Sequence, residues 1–207
     1  MGITVSLAGG RPASPAATTG LAVDLARLPG LQATTASWQL PLYYAAAGLS
    51  VGEIGVLAAI YVAVWGLGQL VTGPCSDRVG RKGLIVGGML LQAAAIALIA
   101  ATRGFASWAL AAVVLGAGTA MVCPTLIATA GDVAHPAWRA SVLGSYRLWR
   151  DGGFAVGALL AGAITDLAGF AAAIWVVAAL SVTSALVGWL RMYETPPRRA
   201  PAPAVVS

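Results

Sequence analysis

The stretch GPCSDRVGRK, from Gly73 to Lys82, is a short polar segment between two long apolar runs in a chain of 207 residues. Hydrophobic residues make up 59% of the chain and charged residues 9%, against roughly 25% charged residues in soluble domains. Together with a mean hydropathy of +0.85, this composition predicts an integral membrane protein. The polar stretch is therefore predicted to connect two membrane-spanning helices.

Six apolar runs are separated by the clusters of charge, and each approaches the ~20 residues that a helix needs to cross a bilayer core. In chain order they cover 31–48, 54–72, 83–101, 108–130, 153–168 and 170–190. Residues 1–30 predict a flexible tail and the start of the first helix, and the proline-rich residues 192–207 predict a disordered cytoplasmic tail. The expected fold class is an all-α membrane protein with a six-transmembrane-helix bundle over residues 31–191.

The basic residues predict the orientation of this bundle. Apart from Arg103 and the ambiguous Arg27, every lysine and arginine falls on one side of the six spans, as expected for cytoplasmic loops. The sequence therefore predicts a multi-pass protein of the cell membrane with both termini in the cytoplasm. The net charge of +5 does not favour nucleic acid as a partner, because the basic residues are not gathered on one polar face.

Packing between the spans is expected to use small residues spaced four apart. Two runs carry them, at Gly83 and Gly87, and at Gly153, Gly157 and Ala161. Trp108 lies near the start of the fourth run, so its ring is expected at the membrane interface.

Residue patterns for metal binding or catalysis are sparse in this sequence. Cys75 and Cys123 lack the spacing of metal ligands, and the single histidine, His135, stands in a predicted loop. No pair of buried acids and no phosphate-binding motif falls within the spans. The sequence therefore predicts a protein that is not an enzyme and that uses no cofactor and no metal.

The polar stretch resembles the signature loop of major facilitator superfamily transporters. It matches the pattern G-x-L-A-D-R-x-G-R-K at Gly73, Asp77, Arg78, Gly80, Arg81 and Lys82, and it departs from the pattern at Cys75 and Ser76. In that family the loop joins the second and third spans of a six-helix half, which is its position here. The resemblance implies one half of a major facilitator fold, and hence a secondary transporter that moves a small-molecule substrate by alternating access.

Other segments are similar to the carboxyl-terminal half of drug/proton-antiporter-like members of that family. They are GDVAHPAWRA at 131–140, YRLWRDGG at 146–153 and RMYETPP at 191–197. Because such transporters have twelve spans, the resemblance implies a second half that acts in efflux, with a missing N-terminal half or a second copy as its partner. The alternative is a six-helix remnant or subunit that does not transport without a partner half.

The residues of the signature stretch predict a turn and a charge network. Gly73 and Gly80 are expected to let the chain turn between antiparallel helices. Arg78, Arg81 and Lys82 can reach anionic lipid headgroups, each worth about 1 kcal/mol. Asp77 is expected to pair with Arg81 and, through it, to join Asp132 at the end of the fourth span.

The family resemblance also implies contacts with another half and a set of cavity residues. The start of the fifth span, at Asp151, Gly152 and Gly153, would receive an aspartate from the other half at a helix N-terminus. The first, second, fourth and fifth helices would line the central cavity. Its candidate residues are Gln39, Tyr43, Tyr61, Gln69, Cys123 and Thr125. Each of these is also explained by a polar contact within the bundle.

Overall fold

The computed structural model describes residues 39–133 and 139–191, apart from the side chains of residues 77–79, 129–133, 139, 142, 146, 149 and 191. In these ranges the chain is helical and contains no strand. The helices are α1 (Leu40–Ala46), α2 (Val51–Val79), α3 (Arg81–Ala101), α4 (Phe105–Val133) and α5 (Arg139–Arg191).

Helix α5 is two helices joined at Gly169, whose φ of 83° and ψ of 165° are not helical. A positive φ of this kind suits glycine, which has no Cβ to clash with the backbone. We call residues 139–168 the first arm of α5 and residues 170–191 its second arm. The second arm runs antiparallel to α3, because Ile174 packs in the same cluster as Ile99 near the end of α3, whereas Trp189 lies against Lys82 at its start.

The helices α2, α3, α4 and α5 are all long and apolar enough to cross a membrane. With α5 counted as two arms, they account for the second to sixth predicted spans. Helix α1 covers only the end of the first predicted span, and the rest of that span lies outside the described residues. The prediction of an all-α bundle of membrane-spanning helices is confirmed.

The signature stretch is more helical than predicted. Helix α2 continues to Val79, with Pro74 inside it, and only Gly80 separates it from α3. The turn predicted at Gly73 is therefore wrong. The helix continues past Gly73 because helical hydrogen bonds satisfy the backbone N–H and C=O groups at the membrane edge. The Ser76 hydroxyl donates a hydrogen bond to the Gly73 carbonyl oxygen at 2.8 Å. The chain turns from α2 into α3 at Gly80 alone, which has φ 101° and ψ 151°.

This geometry predicts opposite results for the two glycines of the stretch. We expect Gly80→Ala to lower the free energy of unfolding by about 1–3 kcal/mol, because residues other than glycine are strained at this φ. Gly73→Ala should be neutral or stabilising, since its Cβ would meet no atom within 4 Å and alanine favours the helix. Thermal unfolding of both purified variants in detergent measures the difference. Equal melting temperatures would contradict a strained turn.

Helix α4 is the central element of the bundle and packs against α2 on one side and α3 on the other. Near the end of the bundle where α4 begins, Tyr43 and Tyr44 of α1 pack around Trp108, with ring centroids 5.7 and 4.9 Å from the indole. Trp108 lies in the first turn of α4, near the end of a span as predicted, and its ring is 1% exposed. Its Nε1 donates to the carbonyl oxygens of Ile99 and Thr102 at the end of α3, where helical carbonyls lack intrahelical partners.

Close approach between α3 and α4 occurs at Gly88 and Gly118. A Cβ built on Gly88 would lie 2.8 Å from the Gly118 carbonyl oxygen, and one built on Gly118 would lie 2.7 Å from the Gly88 carbonyl oxygen. Of the packing face predicted at Gly83 and Gly87, Gly83 is wrong, because no atom lies within 4 Å of a Cβ there, whereas a Cβ on Gly87 would contact Met121 Cε of α4 at 3.6 Å. In the first arm, Gly157 and Ala161 are both buried, which confirms a packed face at those positions.

Candidate functional site

A polar cluster joins three helices near the middle of their length. The Gln92 side chain of α3 donates a hydrogen bond from Nε2 to Thr119 Oγ1 of α4 at 2.9 Å. Thr119 Oγ1 in turn donates to the Leu115 carbonyl oxygen at 2.8 Å. Tyr61 of α2 lies against α4 just before Thr119, since a Cβ built on Gly116 would lie 2.8 Å from the Tyr61 carbonyl oxygen. We call Tyr61, Gln92 and Thr119 the polar cluster.

A cavity of about 250 Å³ adjoins this cluster, between α1, α2 and α4. Its wall is aliphatic except for two tyrosines, and it contains no charged residue. It is lined by Leu40, Pro41, Tyr44, Ile54, Leu57, Ala58, Tyr61, Val62, Ala112 and Leu115. Tyr61 is thus the residue that connects the cavity with the polar cluster.

The predicted cavity residues divide into two groups in the structure. Tyr61, Gln69 and Cys123 are half-buried. The other three are buried inside the bundle, namely Gln39, Tyr43 and Thr125. Only Tyr61 among the six lines the cavity described above.

Two of the buried residues hold helices together. Gln39 donates from Nε2 to Thr165 Oγ1 in the first arm at 3.3 Å, which ties the start of α1 to the end of that arm. Tyr43 packs on Trp108 in the aromatic core. Cavity roles for these residues remain predictions, and the contacts seen here are within the bundle.

Sequence reasoning missed Gln92 and Thr119. The signal that would have found Gln92 is a lone amide in the middle of an apolar run, since such groups pair with another helix inside a membrane. The family resemblance implied that the first, second, fourth and fifth helices line the central cavity. Gln92 lies on the third helix and was therefore not considered. Thr119 is 7% exposed and lies on the same helix as the candidates Cys123 and Thr125.

The charge network of the signature stretch lies largely outside what the structure describes. The side chains of Asp77, Arg78 and Asp132 fall among the residues without described side chains, so this network stays a prediction. Lys82 is described, and its Nζ lies 5.0 Å from the centroid of the Trp189 ring in the second arm. This cation–π contact joins the start of α3 to the end of α5.

The segment predicted to receive another half is not a helix start. The first arm begins at Arg139, so Asp151, Gly152 and Gly153 lie within it and their backbone belongs to the helix. The helix-dipole argument for this segment is therefore wrong. The Asp151 carboxylate is 60% exposed and pairs with the neighbouring Arg150 guanidinium at 2.9 Å. Contact between this segment and a second bundle stays a prediction.

The apolar surface of α2 is open over most of its length. Leu67, Leu70 and Val71 are 67%, 74% and 71% exposed. The first arm is open as well, with Leu148 and Leu159 at 72% and 76%. In the described part of the chain, no three His, Cys, Asp or Glu side chains lie together as a metal site would require.

Helices of membrane-crossing length, joined by very short turns and packed through glycine contacts, define a multi-pass membrane protein. The chain belongs to the Major Facilitator Superfamily, whose family model matches residues 28–206. This match confirms the family that the signature stretch predicted.

Two relatives from Escherichia coli K12 are named as transport proteins. The chain is 25% identical to the inner membrane transport protein YnfM over 156 residues, which are 75% of this chain and 37% of that protein. It is 29% identical to the inner membrane transport protein YajR over 144 residues, which are 69% of this chain and 31% of that protein. The chain therefore spans less than half the length of both relatives.

A solved structure shares the fold. The crystal structure of the POT family transporter PepTSo superposes with a TM-score of 0.70, over 92% of this chain and 40% of that one. At 14% sequence identity this likeness shows the fold alone. The observed bundle thus matches part of a larger transporter fold.

Proposed function

We propose that this chain forms one six-helix half of a secondary transporter that exports a small solute by alternating access. The main support for this proposal is the polar cluster. One of its residues, Tyr61, lines a cavity between α1, α2 and α4. These helices correspond to three of the four that the family resemblance assigns to the central cavity. Solute sites in such folds lie near the membrane midplane, between two repeated bundles.

The open surfaces of α2 and the first arm support the same proposal. An exposed apolar helix face in a membrane protein meets either lipid or another helix bundle. Here both open faces belong to helices that pack against α4. A second bundle seated on these faces would enclose a solute site that one bundle leaves open on one side.

Transport is tested in proteoliposomes with a panel of radiolabelled neutral, cationic and anionic solutes. We expect at least one solute to show saturable uptake that is stimulated when the vesicles are preloaded with the same unlabelled solute. Thr119→Val should lower this uptake about fivefold, because it removes one hydrogen-bonding group and keeps the side-chain shape. Leu110→Val, at an exposed position on the same helix, is the control. No stimulated uptake of any solute at high protein density would favour the alternative of a non-transporting subunit.

The proposed orientation places both termini and the Gly80 turn in the cytoplasm, because of the basic residues near them. In a variant without Cys75 and Cys123, we expect Val79→Cys and Ala137→Cys to react with an impermeant thiol reagent only after cells are permeabilised. Arg103→Cys should react in intact cells. Reaction of Val79→Cys in intact cells, at the rate of Arg103→Cys, would reverse the topology.

A further inference from the structure

Helix α4 carries a proline in its interior, and this proline leaves one backbone carbonyl without its helical donor. Pro124 has no backbone N–H, so it cannot donate to the carbonyl oxygen four residues earlier, which is that of Ala120. Ala120 is 1% exposed, so its carbonyl is covered by protein. An unpaired carbonyl at membrane depth is costly, and a side chain therefore has to supply the missing donor.

The donor is a threonine of the neighbouring helix. The Thr72 hydroxyl of α2 donates from Oγ1 to the Ala120 carbonyl oxygen at 2.7 Å. Other threonine hydroxyls of the bundle, such as those of Thr165 and Thr183, donate to the carbonyl four residues earlier in their own helix. The Thr72 hydroxyl instead crosses to α4 and pairs with the carbonyl that Pro124 frees.

The backbones of α2 and α4 approach closely at the same level. A Cβ built on Gly68, one turn before Thr72, would lie 2.7 Å from the Ala120 Cβ. One built on Gly116, one turn before Ala120, would lie 2.8 Å from the Tyr61 carbonyl oxygen. Helices bend most sharply at proline, where the run of backbone hydrogen bonds is interrupted. The tightly packed part of this interface is therefore followed directly by the point at which α4 bends most easily.

From these observations we infer that Thr72 and Pro124 form a latch between α2 and α4. The Thr72 hydroxyl holds α4 in its present position through the Ala120 carbonyl, and release of this hydrogen bond lets the segment of α4 after Pro124 bend. Thr72 is thus a positioning residue, since it acts on α4 and not on a solute. The inference deepens the proposed function by naming a point at which the bundle moves, and it rests on that function for its role in transport.

A double-mutant cycle tests the latch without requiring transport. Thr72→Val removes the hydroxyl and keeps the side-chain shape, so it should lower the melting temperature in detergent by about 2–4 °C, the shift expected for one hydrogen bond. Pro124→Ala gives the Ala120 carbonyl a backbone donor and should raise the melting temperature. In the Pro124→Ala background, Thr72→Val should have less than half of its effect, because the carbonyl keeps a partner.

The chain offers matched controls for each step. Thr72→Ser keeps the hydroxyl and should restore the melting temperature of the parent protein. Thr183→Val removes a hydroxyl that bonds within its own helix, so its effect should be the same with and without Pro124→Ala. Gly68→Ala pushes α2 away from α4 and should act like Thr72→Val. Gly66→Ala adds a methyl group on the same helix where no atom lies within 4 Å, and it should not lower the melting temperature.

Hydrogen exchange measured by mass spectrometry in nanodiscs reports the bend itself. We expect Thr72→Val to speed amide exchange about fivefold in residues 121–128, the usual effect of one hydrogen bond. Residues 105–115 of the same helix should keep the rate of the parent protein. Pro124→Ala should slow exchange in residues 121–128. A merely structural role for Thr72 would speed exchange along the whole of α4.

Transport separates the latch from the proposed function. In proteoliposomes, Pro124→Ala should reduce stimulated uptake severalfold while it raises the melting temperature, because α4 then loses its bending point. A coupled cycle and localised exchange, with no uptake of any solute by the parent protein, would contradict the proposed transport and leave the latch standing. Uptake by the parent protein, with a cycle that is additive, would contradict the latch alone.

Three further results would overturn the inference. They are a Thr72→Ser variant that melts like Thr72→Val, exchange in residues 121–128 that Thr72→Val leaves unchanged, and a Pro124→Ala variant that transports as well as the parent protein.

Discussion

Replacing Gly88 with alanine is expected to lower the free energy of unfolding by about 1–3 kcal/mol, the usual cost of adding a methyl group to a tightly packed site. The new Cβ would lie 2.8 Å from the Gly118 carbonyl oxygen and 2.9 Å from the Met121 Cβ. Both belong to α4, so the two helices must separate. Because α4 also packs against α2, the displacement would spread through the bundle. Gly88→Leu should abolish recovery of monodisperse protein from detergent.

The control lies on the same helix. Gly83→Ala adds the same methyl group where no atom lies within 4 Å, so it should leave the melting temperature unchanged or raise it slightly. Thermal unfolding followed by light scattering compares the two variants with the parent protein. A Gly83→Ala variant that is as unstable as Gly88→Ala would contradict the contact with α4 as the cause, because alanine by itself favours the helix.

The places of the second to sixth membrane spans could be predicted from the sequence because hydropathy indicates burial in lipid. The signature stretch also predicted the family, because its residues and its position between the second and third spans both match the family pattern. Helix ends were harder to predict. The polar residues after Thr72 suggested a loop, but the backbone remains helical to Val79 because a helix satisfies its own hydrogen bonds at the membrane edge.

Packing within the bundle could not be predicted to the residue. Small residues recur throughout the third run, and a pattern of glycines four apart selects Gly83 and Gly87. In the structure Gly88 makes the close approach to α4, Gly87 makes an ordinary contact with it and Gly83 makes none, since the face that packs depends on the rotation of α3 about its axis. In a chain that is apolar on every side, the sequence carries no strong amphipathic signal to fix that rotation.

The candidate site was predicted in part. Tyr61 was selected as a polar aromatic residue on a lining helix, and it does line the cavity. Trp108 was predicted near a span end, but the sequence did not predict that its ring is buried and that its N–H donates to two carbonyl oxygens of the preceding helix. Hydrogen bonds between different helices, such as that of Gln92 with Thr119, are set by tertiary structure and leave little trace in a single sequence.

The largest expected effect is complete loss of transport when only one bundle is present in a vesicle. Among the described residues, a single bundle provides one wall of the proposed groove, because the cavity lies between α2 and α4 and the outer surface of α2 is exposed. Alternating access needs a second bundle that rocks against the first and closes the solute off from each side in turn. A second copy of this chain, or a separate six-helix half, would supply that wall.

Dilution in lipid measures this requirement. At a fixed amount of protein, we expect uptake per chain to fall to the level of empty vesicles once each vesicle holds less than one chain on average. Leu70→Arg should have the same effect at high protein density, because it places a charge on the open face of α2, where a second bundle would pack. Leu186→Arg introduces the same charge at an exposed position on the second arm and serves as the control. Uptake per chain that stays constant through the dilution would show that one bundle transports alone, which would leave the proposed groove between two bundles without support.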